Sequence, residues 1–199
     1  MSLLVSNEAP DFTATAYHDG EFKTIKLSEF RGKKVVLFFY PLDFTFVCPT
    51  EIVAFSEAKE EFDKRDTVVL GCSVDSQHTH RAWAEVDRKS GGIKGVNFPL
   101  LSDMTREIAE SYNVLLPGGY ALRGLFIINK AGVIKHMTVN HTDLGRNVEE
   151  VLRLVDAIEH SEEYGEVCPA NWHKGTRAMK PTVQSLQDYS SQHEMAGAR

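Results

Sequence analysis

The segment from residue 35 to residue 51 reads Val35-Val-Leu-Phe-Phe-Tyr40-Pro41-Leu-Asp-Phe-Thr45-Phe-Val-Cys48-Pro49-Thr-Glu51 and joins two kinds of secondary structure. Its first six residues are all apolar, which predicts a strand buried on both faces. Pro41 ends this strand. Pro49 suits the first turn of a helix, where a missing N–H leaves no intrahelical bond unmade. Apolar residues then recur at helical spacing, which predicts a helix over 49–64: Ile52, Phe55 and Phe62.

Cys48 lies at the joint between the loop and this helix. Unpaired backbone N–H groups and the positive end of the helix dipole converge there, so a thiolate is stabilised. The thiolate is the nucleophilic form of cysteine. The alternative is a buried cysteine that packs as a small hydrophobic residue. The flanking sequence favours a reactive thiol.

The rest of the chain alternates strands with helices. His18-Asp19-Gly20 predicts a hairpin turn between strands over 12–17 and 22–27. The order of the later elements predicts an α/β sandwich around a mixed central sheet. From about Glu162 the apolar periodicity fades, and a C-terminal arm is broken by Pro169, Gly175 and Pro181. The later predicted elements are strands over 68–74, 98–101, 125–129 and 133–139, and helices over 79–89, 105–111 and 147–159.

Composition and charge narrow the class of function. The chain has 199 residues, 42% of them hydrophobic, which is enough for one domain with an appendage. Its net charge of -6 gives no basic patch that would indicate nucleic acid or an anionic membrane. Met1–Glu8 lacks the cationic and long apolar regions of a signal sequence, so we expect a cytoplasmic protein. Three cysteines do not suggest a structural disulfide framework.

The other two cysteines differ in context. Cys72 lies inside the apolar strand Thr67–Val74 with no adjacent cation, which favours core packing. Cys168 lies at the start of the arm, where it could be an incidental loop thiol. A thiolate oxidised by a peroxide becomes a sulfenic acid, which must condense with a second thiol before it oxidises further. A cysteine in a mobile arm could supply that thiol.

Other cysteine chemistries can be compared by spacing. A cysteine-dependent phosphatase needs an arginine six positions after the nucleophile, where this chain has Ala54. A Cys-x-x-Cys oxidoreductase site is absent, because Pro-Thr-Glu follows Cys48. A papain-like protease stays open, since eight histidines could supply a base. Metal binding by His78 and His80, or by Cys168 with His173, is less favoured than solvated surface positions because neither pair completes a four-ligand set.

Several motifs together resemble the typical 2-Cys peroxiredoxins, the family that includes thioredoxin peroxidases and the peroxidase component of bacterial alkyl hydroperoxide reductase. The central match is Pro41-x-x-x-Thr45-x-x-Cys48-Pro-Thr-Glu51, which resembles the peroxidatic signature without a gap. The resemblance extends over nearly the whole length. Four further segments carry it: Ala9-Pro-Asp-Phe12, Asp75-Ser-Gln-His-Thr-His-Arg-Ala-Trp83, Arg123-Gly-Leu-Phe-Ile-Ile128 and Val167-Cys168-Pro169-Ala170.

The resemblance implies a role for each matching residue. Cys48 would be the peroxidatic cysteine and Cys168 the resolving cysteine of another subunit. The peroxide pocket would be completed by Pro41, Thr45 and Arg123. The arginine would be braced by Glu51 and Arg146.

The resemblance also implies a fold, an activity and partners. The fold would be a thioredoxin-like sandwich over residues 1–161, with the arm over 162–199. The activity would be antioxidant reduction of hydrogen peroxide and small organic hydroperoxides without metal, haem or flavin. The reductant would be thioredoxin or a flavoprotein, and the protein would be a homodimer assembled into a ring. A redox-switched chaperone or scaffold ring is the alternative from another class.

The pKa that Cys48 needs for reactivity requires a cation such as Arg123 close to its sulfur. Moving a cysteine pKa from about 8.5 to about 6 requires roughly 3 kcal/mol. A helix N-terminus supplies only about 0.3–1 kcal/mol, so a fixed cation must supply the rest. Arg123 opens an apolar strand, a costly position for a charge unless it has a partner. The alternative role for Arg123 is a salt bridge on the surface. Thr45 can bond a peroxide oxygen, and Pro41 can shield the pocket from water.

Two segments depart from the peroxide-sensitive members of the family. Those members carry a Gly-Gly-Leu-Gly loop and a Tyr-Phe pair in a C-terminal helix. This chain reads Gly91-Gly-Ile-Lys94-Gly95 in the loop and Tyr189-Ser190 in the tail, followed by a polar end to Arg199. Replacing Phe by Ser removes an apolar contact of roughly 1.5–3 kcal/mol. We therefore expect Cys48 to resist over-oxidation.

Overall fold

The computed structural model describes residues 3–197, so the predicted polar end at residues 198–199 lies outside the described residues. Its sheet has seven strands in the order β2-β1-β5-β4-β3-β6-β7. β3, β4 and β5 run parallel, whereas β1, β2, β6 and β7 pair antiparallel with their neighbours. The predicted mixed sheet is therefore confirmed. The strands are β1 Thr13–His18, β2 Glu21–Lys26, β3 Lys34–Phe39, β4 Thr67–Ser73, β5 Leu100–Ser102, β6 Arg123–Ile128 and β7 Ile134–Asn140.

Six α-helices are described: α1 Cys48–Glu57, α2 Lys59–Asp63, α3 Gln77–Glu85, α4 Glu107–Ser111, α5 Val148–Tyr164 and α6 Val183–Gly197. The predicted single helix over 49–64 is wrong in one respect, because the backbone leaves helical geometry at Ala58 (φ -87°, ψ 1°) and separates α1 from α2. No proline or glycine marks this break in the sequence. Within residues 3–197, no helix combines the length and apolar character needed to cross a membrane.

The central strand β3 is buried along its whole length, as its apolar run predicts. On one face, the Phe38 ring stacks on Phe55 of α1 with centroids 4.6 Å apart. On the other face, the Phe39 ring meets Phe126 of β6 edge-on at 5.9 Å. Apolar side chains on both faces hold the sheet and α1 in register. The loop after β3 is therefore anchored at both of its ends.

The chain separates into two compact units, Met1–Val148 and Glu149–Arg199. The sequence instead places a boundary after residue 161, where the apolar periodicity fades, and that boundary stays a prediction. In the second unit, α6 replaces part of the expected irregular arm. The Thr182 hydroxyl accepts the Ser185 N–H at 3.2 Å and caps this helix. Val183 and Leu186 of α6 are exposed, which explains why the apolar pattern there is faint.

Candidate active site

Cys48 is the first residue of α1, with Pro49 next to it in the first turn. Its side chain is fully buried. The N–H groups of Thr50 and Glu51 bond to the Val47 carbonyl oxygen at 3.1 and 3.3 Å, so the turn is formed directly at the cysteine. The predicted position of the thiol at a helix start is confirmed.

Two side chains contact the Cys48 sulfur. The Thr45 hydroxyl lies 3.0 Å from Sγ, and Nη1 of Arg123 lies 3.4 Å from it. The same hydroxyl lies 2.8 Å from the carbonyl oxygen of Leu42. A hydroxyl has one proton to donate, so donation to Leu42 leaves the oxygen of Thr45 free to accept. Thr45 can therefore act as donor or acceptor towards a molecule beside the sulfur.

Glu51 binds both predicted arginines. Its carboxylate accepts from Nη1 of Arg123 at 2.7 Å and from Nε and Nη2 of Arg146 at 2.7 and 2.8 Å. The backbone N–H of Arg146 adds a fourth bond at 2.9 Å. Arg146 also donates through Nη1 to the carbonyl oxygens of Phe39 and Gly124 at 2.7 and 2.8 Å. These bonds tie the helix start to β3 and β6.

The charges of this cluster depend on the state of the thiol. Arg123, Glu51 and Arg146 expose 3% or less of their side chains. Two guanidiniums and one carboxylate leave one positive charge unbalanced, and a thiolate at Cys48 would balance it. Burial lowers the pKa of Arg146, and the Glu51 carboxylate opposes that change. The cluster therefore favours an anion at the sulfur position.

A cavity of about 260 Å³ is lined by Thr45 and Arg123, the two side chains that contact the Cys48 sulfur, while the buried Cys48 does not itself line it. Three predicted pocket residues, Pro41, Thr45 and Arg123, lie in its wall. Nε of Arg123 donates to the Thr142 carbonyl oxygen at 2.7 Å, which fixes the guanidinium at the cavity edge. The volume suits a small molecule. The remaining lining residues are Leu42, Phe46, Val47, Tyr120, Thr142 and Asp143.

The other two cysteines lie in contrasting environments. Cys72 is fully buried in β4, and burial raises the pKa of its thiol well above the usual range, with a smaller contribution from Asp103. Cys168 lies in the second unit, with Sγ 3.6 Å from the Ala157 carbonyl oxygen. Burial also raises the pKa of Cys168, and the Arg153 cation opposes the rise. Cys72 is thus a core residue, as predicted, and Cys168 is a partly buried thiol with a raised pKa.

A buried polar cluster that the sequence did not predict lies behind the active-site loop. The prediction that His78 and His80 are solvated holds for His78 but is wrong for His80, which is fully buried. His80 lies on the same face of α3 as the buried Trp83 and Ala84. That spacing of three and four residues could have revealed it. Among the side chains that the structure describes, at residues 3–191, no group of three or more His, Cys, Asp or Glu could hold a metal ion.

The chain is similar to known proteins along nearly its whole length. The family model described as the AhpC/TSA family matches residues 5–137, and the C-terminal domain of 1-Cys peroxiredoxin matches residues 157–192. Peroxiredoxin-2 of Mus musculus is 55% identical over 190 residues, which are 95% of this chain and 96% of the relative. The chloroplastic 2-cysteine peroxiredoxin of Chattonella marina var. antiqua is 58% identical over 91% of this chain and 94% of the relative. The crystal structure of reduced Plasmodium vivax 2-Cys peroxiredoxin is 46% identical, covers 96% of this chain and 100% of its own, and superposes with a TM-score of 0.94.

Proposed function

Because the chain belongs to the AhpC/TSA family and is, like the peroxiredoxins it matches, a thiol-dependent peroxidase, we propose that Cys48 is its peroxidatic residue. The fold is the thioredoxin-like sandwich that the sequence predicts. One observation carries the assignment of Cys48. Its buried sulfur lies within 3.4 Å of both the Thr45 hydroxyl and the Arg123 guanidinium, and these two side chains line a cavity of small-molecule size.

The proposed reaction begins with a hydroperoxide in this cavity. The Cys48 thiolate attacks one peroxide oxygen, an S–O bond forms, and the O–O bond breaks. The sulfur gains a hydroxyl group and becomes a sulfenic acid, while the departing oxygen takes the electron pair and is protonated to water or an alcohol. Donors from Thr45 and Arg123 stabilise the negative charge that develops on that oxygen. Pro41 keeps water away from the sulfur.

Cys168 of a second subunit completes the proposed cycle. Its sulfur attacks the sulfenic acid, a disulfide forms, and water leaves. In its partly buried position burial raises the pKa of this thiol, which lowers the fraction present as the nucleophilic thiolate. Release from that position would restore its reactivity. An external dithiol protein then reduces the disulfide, and we propose thioredoxin or, second, a flavoprotein disulfide reductase.

The proposed partner for this disulfide is a second copy of the chain, in a homodimer that assembles into a ring. β7 is an edge strand of the described sheet, so one side of its backbone is open to pairing. A Plasmodium yoelii relative, modified at its N-terminus, forms an artifactual octamer. For this chain the ring and its size stay proposals, as does a cytoplasmic location.

Peroxide consumption by the purified protein tests this function. The wild type should consume hydrogen peroxide in the presence of a dithiol reductant, and Cys48→Ser should abolish the activity. On non-reducing gels, peroxide should convert the wild type to a linked dimer that both Cys48→Ser and Cys168→Ser remove. Cys72→Ser is the control and should keep the dimer. A chaperone function would survive Cys48→Ser, and a linked dimer without Cys168 would refute its resolving role.

A further inference from the structure

A buried hydrogen-bonded cluster lies behind the loop that carries the pocket residues. The Asp43 carboxylate accepts the Tyr40 hydroxyl at 2.9 Å and lies 2.7 Å from Nδ1 of His80. Nε2 of His80 lies 3.2 Å from the Leu101 carbonyl oxygen. The side chains of Asp43 and His80 have no exposed surface. The side chains of a polar cluster that is buried this completely keep one arrangement as long as every hydrogen bond among them is made.

The proton positions in this cluster follow from its acceptors. The Leu101 carbonyl can only accept, so Nε2 of His80 carries a proton. One further proton lies between Nδ1 and the Asp43 carboxyl, and either group can hold it without changing the net charge of the pair. Burial raises the pKa of Asp43, while the bonds from His80 and Tyr40 oppose the rise. The pair is therefore neutral overall and tightly joined.

The cluster connects to the active site through the backbone of the loop. Asp43 follows Leu42, whose carbonyl oxygen lies 2.8 Å from the Thr45 hydroxyl. The N–H of Asp43 bonds to Oδ2 of Asp75 at 2.9 Å, so its backbone is fixed as well as its side chain. The next residue, Phe44, has a φ of 55°, in the left-handed region that only surrounding contacts maintain for such a residue.

We propose that His80 and Asp43 are positioning residues for the peroxide reaction, because they hold the loop so that the Thr45 hydroxyl lies at the Cys48 sulfur. The path runs from α3 through the Asp43 carboxylate to the Leu42 carbonyl and then to Thr45. Neither His80 nor Asp43 touches the sulfur. This inference rests on the proposed roles of Cys48 and Thr45.

The test compares two reactions of the same thiolate in single turnover. Both reagents must reach the buried Cys48 sulfur, but hydrogen peroxide also needs the Thr45 hydroxyl in place, whereas alkylation by iodoacetamide needs the thiolate alone. We expect His80→Ala and Asp43→Ala to slow the peroxide reaction by about a hundredfold, as a misplacement of about 1 Å does, and to leave the alkylation rate nearly unchanged. Asp103→Ala is the matched control. It removes another buried carboxylate, which caps α4 through the N–H groups of Ile108 and Ala109, and should leave the ratio of the two rates unchanged.

Asp43→Asn should rescue the peroxide rate. Its amide oxygen can accept from Tyr40, and its NH2 group can donate to Nδ1 of a neutral His80, so the geometry survives without the charge. Circular dichroism establishes that each variant is folded. If His80→Ala does not fold, Tyr40→Phe carries the test, since it removes one donor to Asp43 and keeps the ring. Tyr112→Phe, which removes a hydroxyl bonded to the Pro10 carbonyl, is its control.

A double-mutant cycle with Thr45→Val decides between positioning and general damage. If His80 acts through Thr45, His80→Ala should have little further effect on the peroxide rate in the Thr45→Val background. Equal losses in the peroxide and alkylation rates, additive effects in the cycle, or an Asp43→Asn variant as slow as Asp43→Ala would each overturn the proposal. A wild type that does not consume peroxide would instead overturn the proposed function.

Discussion

Replacing Glu51 by Gln tests the buried cluster that surrounds the thiol. Glu51 accepts four hydrogen bonds, three from the guanidiniums of Arg123 and Arg146 and one from a backbone N–H. Glutamine keeps the shape of the side chain but removes the negative charge. Its NH2 group also replaces one carboxylate oxygen, and must face a guanidinium N–H. The variant therefore leaves two buried cations with no carboxylate between them and only a Cys48 thiolate as a counter-charge.

The expected loss of stability follows from the burial of Glu51 and its two arginine partners. Removing one partner of a buried ion pair destabilises a protein by about 3–5 kcal/mol, because the other charge stays buried and unpaired. Glu51 and both arginines expose 3% or less of their side chains, so solvent cannot replace the lost partner. We expect Glu51→Gln to lower the free energy of unfolding by about 3–5 kcal/mol. That is a large fraction of the roughly 5–15 kcal/mol that stabilises an ordinary domain.

Urea unfolding of the reduced protein measures this loss of stability. All variants are compared at one protein concentration, because association between subunits also stabilises the fold. Glu150→Gln is the matched control. Glu150 binds Arg153 through two bonds of 2.6 and 2.8 Å, but on an exposed surface. Exposed ion pairs contribute about 0–1 kcal/mol, so this variant should be nearly as stable as the wild type. Equal losses for the two variants would refute the argument from burial.

Three further predictions concern the reaction and the assembly. Arg123→Ala should slow peroxide reduction by orders of magnitude with little loss of fold, since Glu51 keeps its bonds to Arg146. Stopped-flow kinetics measure the rate of peroxide reduction, and an unchanged rate would show that Arg123 does not belong to the site. Sedimentation should show a dimer or a larger assembly, and a monomer in both redox states would refute pairing through β7. Cys48 should resist conversion to sulfinic acid, because Ser190 stands where the peroxide-sensitive relatives have an apolar residue. Mass spectrometry after turnover at increasing peroxide concentrations measures the fraction of Cys48 converted to sulfinic acid. A large fraction at low peroxide concentrations would contradict the prediction.

The sequence predicted best where one interaction dominates. The apolar run at 35–40 can only be a buried strand, and β3 occupies Lys34–Phe39. The hairpin at Asp19-Gly20 forms because both residues adopt positive φ, as the turn requires. The placement of Glu51 between Arg123 and Arg146 was expected only from the family resemblance. No local pattern predicts it, since its members come from three distant parts of the chain.

The features that the sequence did not predict depend on tertiary packing. The break at Ala58 separates α1 from α2 without a residue that disfavours helix. His80 is buried because Asp43, 37 residues away, supplies an acceptor for its ring nitrogen. A histidine without such a partner would be expected at the surface. α6 escaped notice because Val183 and Leu186 are exposed, so it lacks the apolar face by which helices are recognised.

The charge of the buried cluster links the chemistry to the release of the helix start. With a thiolate at Cys48, the two guanidiniums are balanced by two anions. In the proposed reaction the negative charge leaves with the departing oxygen, so a neutral sulfenic acid at Cys48 would leave one buried positive charge uncompensated. Burial disfavours the charge of Arg146 and lowers its pKa. Oxidation therefore weakens the electrostatic balance that holds Arg123 and the first turn of α1 together. An opening of that turn would expose the sulfenic acid to Cys168, so the loss of one charge favours the step that must follow it.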